Sequence, residues 1–251
     1  MQSDVEAVRL FFTDHGTGEP VLLVHGWGGD GRSWDPVEFA GRRVVTVDLR
    51  GHGRSPVPSC GYRPRDYAVD LAALVDALDL PPVVAVGHSM GGQVAVLLAM
   101  ERPDLVRAVV AIDPAYGADE AEAATFQERL TALRRDGAAA AVAQLGDLTD
   151  DVRDQLVRTP GHVLADSYAG LYTDPGAIGA RPAAAEALAQ LTRPLLCIRP
   201  TPSMAAWDLS CAVRPGSRVV LWPDAGHFLH RERPEAFAGL VNSWLASLSR
   251  S

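Results

Sequence analysis

The stretch VVAVGHSMGG, residues 83–92, decides the fold. Its first half is a short run of apolar, mostly β-branched residues, which predicts a buried strand, and apolar residues at helical spacing follow it. The pattern G-x-S-x-G around Ser89 is typical of a sharp strand-to-helix turn that exposes a nucleophilic hydroxyl. Such a turn leaves no room for neighbouring side chains, which accounts for Gly87 and Gly91. We therefore predict that Ser89 is a nucleophile, and that His88 packs beside the turn.

Six further short apolar runs surround this stretch, at residues 8–12, 21–24, 44–48, 106–113, 195–198 and 218–222. Continuous apolar runs bounded by Gly, Pro and Asp predict strands that are buried on both faces. Helical patterns at 67–80 and 90–103 separate some of these strands. Alternating strands and helices indicate an α/β fold with a mostly parallel central sheet flanked by helices.

Residues 115–192 interrupt the alternation because they contain no convincing strand. Ala- and Leu-rich helical patterns occur there instead, at 119–135, 150–158, 162–172 and 182–191. A crossover between parallel strands needs only about 10–15 residues, so this segment is too long for one helix alone. We predict a helical cap at 115–192, inserted between two strands of a core domain formed by 1–114 and 193–251. An ordinary crossover is the alternative.

The composition excludes several classes of protein. A chain of 251 residues that is 47% hydrophobic can bury one large core, and a net charge of −8 argues against a nucleic-acid partner. No run approaches the roughly 20 apolar residues that span a bilayer, and the first residues lack the pattern of a signal peptide. Cys60, Cys197 and Cys211 have no metal-like spacing and favour reduced thiols. We expect a cytoplasmic protein with no membrane partner, metal or cofactor.

A second glycine-rich stretch, VLLVHGWGGDGRSW at 21–34, also follows a predicted strand. Its residues 26–31 fit the dinucleotide fingerprint G-x-G-x-x-G, and Asp48 ends the next strand about 20 residues later. The segment between leaves little room for the crossover helix of such a site. A nucleotide cofactor would also leave Ser89 unexplained, so this alternative is disfavoured.

The stretch LWPDAGHFLHRERPEAF at 221–237 supplies a candidate general base. His227 follows a predicted strand and a turn, which places it at the same sheet edge as Ser89. A nucleophile followed by a distant histidine is the order expected for hydrolases whose serine lies in a G-x-S-x-G turn. We expect His230 to lie outside the site and Asp224 to brace the turn.

These motifs carry a resemblance to a known family. The chain is similar to members of the α/β-hydrolase superfamily over residues 8–248, on the motifs HGW, DLRGHGRS, GHSMGG and AGHF in the family's order. The resemblance implies that Ser89 attacks the substrate and His227 takes its proton. It also implies that the backbone N–H groups of Trp27 and Met90 form the oxyanion hole. Asp48, Arg50 and His52 of the second motif are expected to brace neighbouring loops.

The acid that should orient His227 is missing from its usual place. In the family it commonly follows the strand at 195–198, but the turn at 199–203 contains no acidic residue. Asp113 ends the strand after the nucleophile helix, 24 residues beyond Ser89. Since adjacent parallel strands lie about 4.8 Å apart, a carboxylate there can approach the histidine. We predict that Asp113 is the acid, with Asp208 as the alternative.

A local resemblance supports Asp113, the acid that follows the earlier of the two strands. Thr201-Pro202 and Trp207-Asp208 are similar to the matching segment of zearalenone-type lactone hydrolases, which place their acid at the earlier strand. The chain departs from that group at His25 and around Ser89. The resemblance therefore favours Asp113 as the acid and leaves the substrate open.

Together the patterns predict an enzyme that cleaves a carboxylic ester or lactone through Ser89, His227 and Asp113 and an acyl-enzyme. Thioester or C–C bond hydrolysis, perhydrolysis and a non-catalytic ligand sensor of the same fold are the alternatives. A homodimer is compatible with the sequence. An apolar, aromatic-accepting pocket is expected, although the aromatic residues could equally form the core of the cap. The residues predicted to bind substrate are Gly26, Tyr116, Phe126, Tyr168, Tyr172 and Trp207.

Overall fold

The computed structural model describes residues 6–146, 148–211 and 214–248, which form an α/β fold around one seven-stranded sheet. The strand order is β1-β3-β2-β4-β5-β6-β7; β1 runs antiparallel to β3 and all other neighbours are parallel. The fold class predicted from the sequence is confirmed. The strands are β1 (Phe11–Gly16), β2 (Glu19–Val24), β3 (Arg42–Asp48), β4 (Val83–His88), β5 (Val106–Ile112), β6 (Leu195–Arg199) and β7 (Arg218–Leu221).

The helices lie on both faces of the sheet and between β5 and β6. None of those in the described ranges is long and apolar enough to cross a membrane. They are α1 (Pro64–Ala77), α2 (Met90–Glu101), α3 (Glu120–Ala123), α4 (Phe126–Asp136), α5 (Ala138–Leu145), α6 (Asp150–Arg158), α7 (Gly161–Tyr172), α8 (Arg181–Gln190), α9 (Pro202–Cys211), α10 (Leu229–Glu232) and α11 (Pro234–Leu248), with a 3₁₀ turn at Gly31–Trp34.

Two apolar clusters cover the two faces of the sheet. Along β2, Leu22 and Val24 belong to one cluster, whereas Val21 and Leu23 belong to the other. This alternation follows from the pleat of a strand, in which successive side chains point to opposite faces. Since both faces are covered, the central strands are apolar throughout, which is why they were identifiable from sequence.

The edge strand β1 departs from the prediction. It begins at Phe11, three residues after the start of the predicted run at 8–12, and its last four residues are exposed. An edge strand with one solvent-facing side does not need apolar residues along its length. A search for apolar runs therefore could not detect the polar half of β1.

Helices α3–α7 form a layer of their own, which we call the helical insertion (residues 120–172). Their apolar side chains make a third cluster that includes Phe126, Leu133 and Leu156. Helix α8 differs, because its Ala184 and Leu188 pack into the main sheet cluster. The long segment between β5 and β6 thus contains a separate helical layer followed by a helix that packs on the sheet.

Candidate active site

The turn between β4 and α2 holds Ser89 in a strained backbone conformation. Its φ is 51° and its ψ is −116°, a region that residues with a side chain rarely occupy. A Cβ atom on Gly87 would lie 2.0 Å from the carbonyl oxygen of Gly91, and one on Gly91 would lie 2.3 Å from that of Val24. The two glycines therefore allow the close approach that lifts Ser89 above the sheet, where it borders a cavity.

His227 lies in the loop after β7 and contacts a carboxylate at the end of β5. Its Nδ1 lies 2.6 Å from Oδ2 of Asp113. Asp113 follows β5 with φ 37°, and its N–H donates to the carbonyl of Ile198 on β6. Burial opposes ionisation of Asp113, but the hydrogen bond and charge of His227 and the charge of Arg199 outweigh it, so the pKa of this carboxyl is lowered. An ionised Asp113 is the form that can orient a histidine.

Asp208, the alternative acid, has a different partner. It lies on α9, is 1% exposed, and accepts a 2.7 Å hydrogen bond from Nε of Arg199. Burial raises the pKa of its carboxyl, against the charge of Arg199. The carboxylate that contacts His227 is that of Asp113, and Asp208 is joined to it through Arg199.

Two buried histidines stand behind His227. His88 Nε2 donates to the carbonyl of His227 at 2.9 Å, and the His88 ring lies 4.6 Å from both His227 and His230. Burial lowers the pKa of His88 well below its ordinary value, helped by the neighbouring imidazoles, and lowers that of His230 to about 3. Both are neutral at pH 7. His230 packs on Trp34 at 4.6 Å and does not border the cavity.

The loop after β2, residues 25–30, which we call the β2 loop, lies beside the turn of Ser89 because Val24 pairs with Gly87. Trp27 borders the cavity, and its indole N–H donates to α7 at the carbonyl of Leu164. Met90 is the first residue of α2 and its side chain is buried in the sheet core. The N-terminus of α2, with its positive dipole end, therefore faces the same region as the β2 loop.

Residues 48–55 brace the β2 loop and the 3₁₀ turn that follows it. The two carboxylate oxygens of Asp48 accept from the N–H groups of Gly31 and Arg54, both at 2.8 Å. His25 Nε2 accepts from the N–H of Leu49 at 3.0 Å. After the glycines of 26–31 the chain forms only the 3₁₀ turn Gly31–Trp34, which is too short to be the helix of a dinucleotide-binding unit.

A cavity of about 350 Å³ lies between the sheet and the helical insertion, bordered by Ser89, His227 and Asp113. Phe126 and Trp207 do not border it: Phe126 stacks behind Tyr172 at 4.4 Å, and Trp207 packs on Tyr116 at 6.2 Å. These two rings support the walls instead of forming them. The other four residues predicted to bind substrate, namely Gly26, Tyr116, Tyr168 and Tyr172, border the cavity.

Several polar residues at the cavity had no motif to mark them. In the sequence, Arg199 was visible only as the first residue of the turn that follows the apolar run at 195–198. The others come from helices whose facing sides could not be predicted from composition. The polar residues missed at the cavity include Ser33, Glu122, Arg129, Gln144, Gln155 and Arg199.

Three hydrogen-bonding side chains join the β2 loop to the helical insertion. Oε1 of Gln155 on α6 accepts from the N–H of Asp30 and from the hydroxyl of Ser33, both at 3.0 Å. Thr159 donates to the carbonyl of Gly28 at 3.3 Å. With the indole of Trp27, these contacts attach the insertion to the segment that borders Ser89.

Comparison with known proteins agrees with this fold. A sequence model of the alpha/beta hydrolase family matches residues 21–240. The chain is 29% identical, over 97% of both chains, to a putative 2-succinyl-6-hydroxy-2,4-cyclohexadiene-1-carboxylate synthase of Bacillus subtilis. Among solved structures, it resembles a thermophilic esterase of Thermogutta terrifontis (27% identity, TM-score 0.77, 96% and 94% of the two chains). It also resembles an enol-lactonase of Burkholderia xenovorans (25% identity, TM-score 0.78, 94% and 96%).

Proposed function

Because the chain belongs to the α/β hydrolase family, we propose that it is a serine hydrolase that cleaves a carboxylic ester or a lactone. Ser89 is the nucleophile, His227 the general base and Asp113 the acid that orients it. The observation that carries the proposal is the 2.6 Å contact of His227 Nδ1 with Asp113, at the cavity that Ser89 borders.

The protonation pattern of His227 follows from that contact. An ionised Asp113 only accepts, so Nδ1 carries the proton and Nε2 is left as the acceptor for the Ser89 hydroxyl proton. Ser89 then attacks the carbonyl, and the imidazolium passes its proton to the leaving alcohol. The N–H groups of Trp27 and Met90 hold the oxyanion, at roughly 3–4 kcal/mol of transition-state stabilisation for each donor. Water, activated by His227, releases the acid product.

The cavity favours a mostly apolar substrate of modest size. Its volume of about 350 Å³ is at the lower end for small-molecule sites, and the rings of Trp27, Tyr168 and Tyr172 form part of its wall. The similarity to an esterase and an enol-lactonase supports an ester or lactone. The relative named as a 2-succinyl-6-hydroxy-2,4-cyclohexadiene-1-carboxylate synthase supports a second candidate, the formation of a carboxylated cyclohexadiene.

The test is turnover of p-nitrophenyl esters and aromatic macrolactones by wild type and Ser89→Ala. We expect Ser89→Ala to lose roughly 10⁴-fold or more in kcat, because the covalent route is removed. Ser243→Ala, at an exposed serine of α11, is the matched control and should behave as wild type. Activity that persists in Ser89→Ala would reject the acyl-enzyme. Absence of ester and lactone turnover, with no fluorophosphonate labelling of Ser89, would favour the second candidate or a ligand sensor.

A further inference from the structure

Strand β6 ends in Arg199, a buried arginine that is 2% exposed. Its guanidinium makes four hydrogen bonds: Nε to Asp208 at 2.7 Å, one Nη to Asp113 at 3.2 Å and to the carbonyl of Pro114 at 2.8 Å, and the other Nη to the carbonyl of Tyr116 at 3.0 Å. A guanidinium presents its donors in a rigid fork, so these partners fix its orientation. Arg199 thereby joins the ends of β5 and β6 to helix α9.

The Asp113 carboxylate is held at both oxygens. Oδ2 contacts His227 and Oδ1 accepts from Arg199. A carboxylate bound at one oxygen only could rotate away from the imidazole, and Asp113 lies just past the strand, with a left-handed φ of 37°. Arg199 also holds the carbonyls of the next residues, so it restrains both the side chain and the backbone of this segment.

The charges at this position cancel only in part. Arg199 contributes one positive charge, and Asp113 and Asp208 contribute one negative charge each, which leaves a net charge of −1 beside His227. Without Asp208, the guanidinium would cancel the charge that stabilises the imidazolium of His227. An ionised Asp208 would therefore act electrostatically on a histidine that it does not touch.

We propose that Arg199 is a positioning residue that orients Asp113 toward His227, and that Asp208 is the counter-charge that keeps Arg199 from weakening the base. This inference rests on the proposed function, because it assigns His227 a catalytic protonation. It also explains the displaced acid: the end of β6 carries the arginine that holds an acid on β5.

Other charged and titratable groups around His227 are common to all the variants below. His88 packs on it from the Ser89 turn, and His230 lies beyond His88. On helix α10, which follows His227, Glu232 accepts from the N–H of Gly226, and Arg231 pairs with Asp151 of the insertion. Since none of these changes, differences between the variants report on Arg199 and Asp208.

The experiment is the pH dependence of kcat/KM for p-nitrophenyl butyrate, and of the rate at which a fluorophosphonate labels Ser89. Removing the cation in Arg199→Gln favours the imidazolium, so the acid limb should move to higher pH by about 0.5 to 1 unit. Removing the anion in Asp208→Asn disfavours the imidazolium, so the limb should move to lower pH by a similar amount. The kcat of Arg199→Gln should also fall roughly 10-fold through looser orientation.

Arg199→Lys separates charge from orientation. It keeps the positive charge but loses the rigid, planar set of guanidinium donors. The acid limb should therefore stay near that of wild type while kcat falls. The matched controls are Arg50→Gln and Asp70→Asn, which alter a fully buried arginine–aspartate pair whose residues do not border the cavity. They should lower the thermal midpoint of unfolding without moving the acid limb.

Opposite displacements of the acid limb support the inference, because a merely structural loss would move both variants alike or neither. Displacement in the same direction, or none, with normal labelling of the wild type, overturns it and leaves the proposed function intact. If Arg199→Gln does not fold, the near-isosteric Asp208→Asn and Arg199→Lys decide, since only the first should shift the limb. A wild type that fluorophosphonate does not label at Ser89 overturns the proposed function and this inference together.

Discussion

The cavity has two unlike sides. On the sheet side, the backbone sets the geometry: Ser89 and Asp113 both have positive φ values, and Gly87 approaches Gly91 too closely for any side chain. On the insertion side, side chains set the geometry, through amide and hydroxyl contacts such as those of Gln155 and through tyrosine rings packed at an angle to each other. Rigid strand ends suit groups that must be held within about 0.5 Å of their reacting geometry. Helices held by side chains can change their lining residues without disturbing that placement.

After loss of the nucleophile itself, the largest effect is expected on the sheet side, from Asp113→Asn. Asparagine keeps the shape but not the charge, so it can stabilise the wrong tautomer of His227, and kcat should fall roughly 10²–10⁴-fold. Steady-state kinetics with p-nitrophenyl butyrate, beside circular dichroism for folding, measures this. Asp208→Asn is the comparison variant and should lose much less kcat, because Asp208 contacts Arg199 and not His227. The reverse order of losses would assign the acid to Asp208.

A second, smaller effect concerns the close approach itself. Gly91→Ala should lower the free energy of unfolding by about 3 kcal/mol or more, because its Cβ would lie 2.3 Å from the carbonyl oxygen of Val24. Gly239 is also a helical glycine, but a Cβ there has open space. Gly239→Ala should therefore raise stability by about 0.5–1 kcal/mol. Urea unfolding measures both, and equal stabilities would show that the backbone at Ser89 is less constrained than its geometry indicates.

The smallest effect is expected on the insertion side, from Gln155→Ala. This change leaves the Asp30 N–H and the Ser33 hydroxyl without their acceptor, at a cost of about 1–3 kcal/mol in stability. We expect a several-fold rise in KM and altered preference among acyl chain lengths, with a smaller change in kcat. Gln190→Ala, at an exposed amide of α8, is the control. A loss confined to kcat would contradict the division between the two sides.

The sheet side was also the predictable side. Strands buried on both faces are apolar throughout, so six of the seven runs matched their strands to within about two residues, and the Ser89 turn carries its own motif. The polar half of β1 was missed because an edge strand lacks that constraint. Helix α9 was missed because only Ala205 and Asp208 of its residues are buried, which leaves no amphipathic pattern.

On the insertion side, the sequence predicted helices and candidate aromatic residues, but not which side chains face the cavity. Its aromatic residues were candidates for pocket or core alike, and the structure divides them: Tyr168 borders the cavity while Phe126 stacks behind Tyr172. Which face of a helix meets a cavity depends on packing between helices, which no local pattern encodes. Arg199 illustrates the same limit, since its four partners come from segments up to 86 residues away.

The side-chain hydrogen bonds between the insertion and the β2 loop couple the position of the helices to the position of that loop. Gln155, Thr159 and the indole of Trp27 hold the same short segment whose Trp27 N–H would face the oxyanion. An outward swing of α6 and α7 large enough to admit a bulky substrate would lengthen these bonds and release that segment. Opening the cavity would then also displace the oxyanion donor of the β2 loop. The Trp27 N–H would be in place only once the helices had closed over a bound molecule.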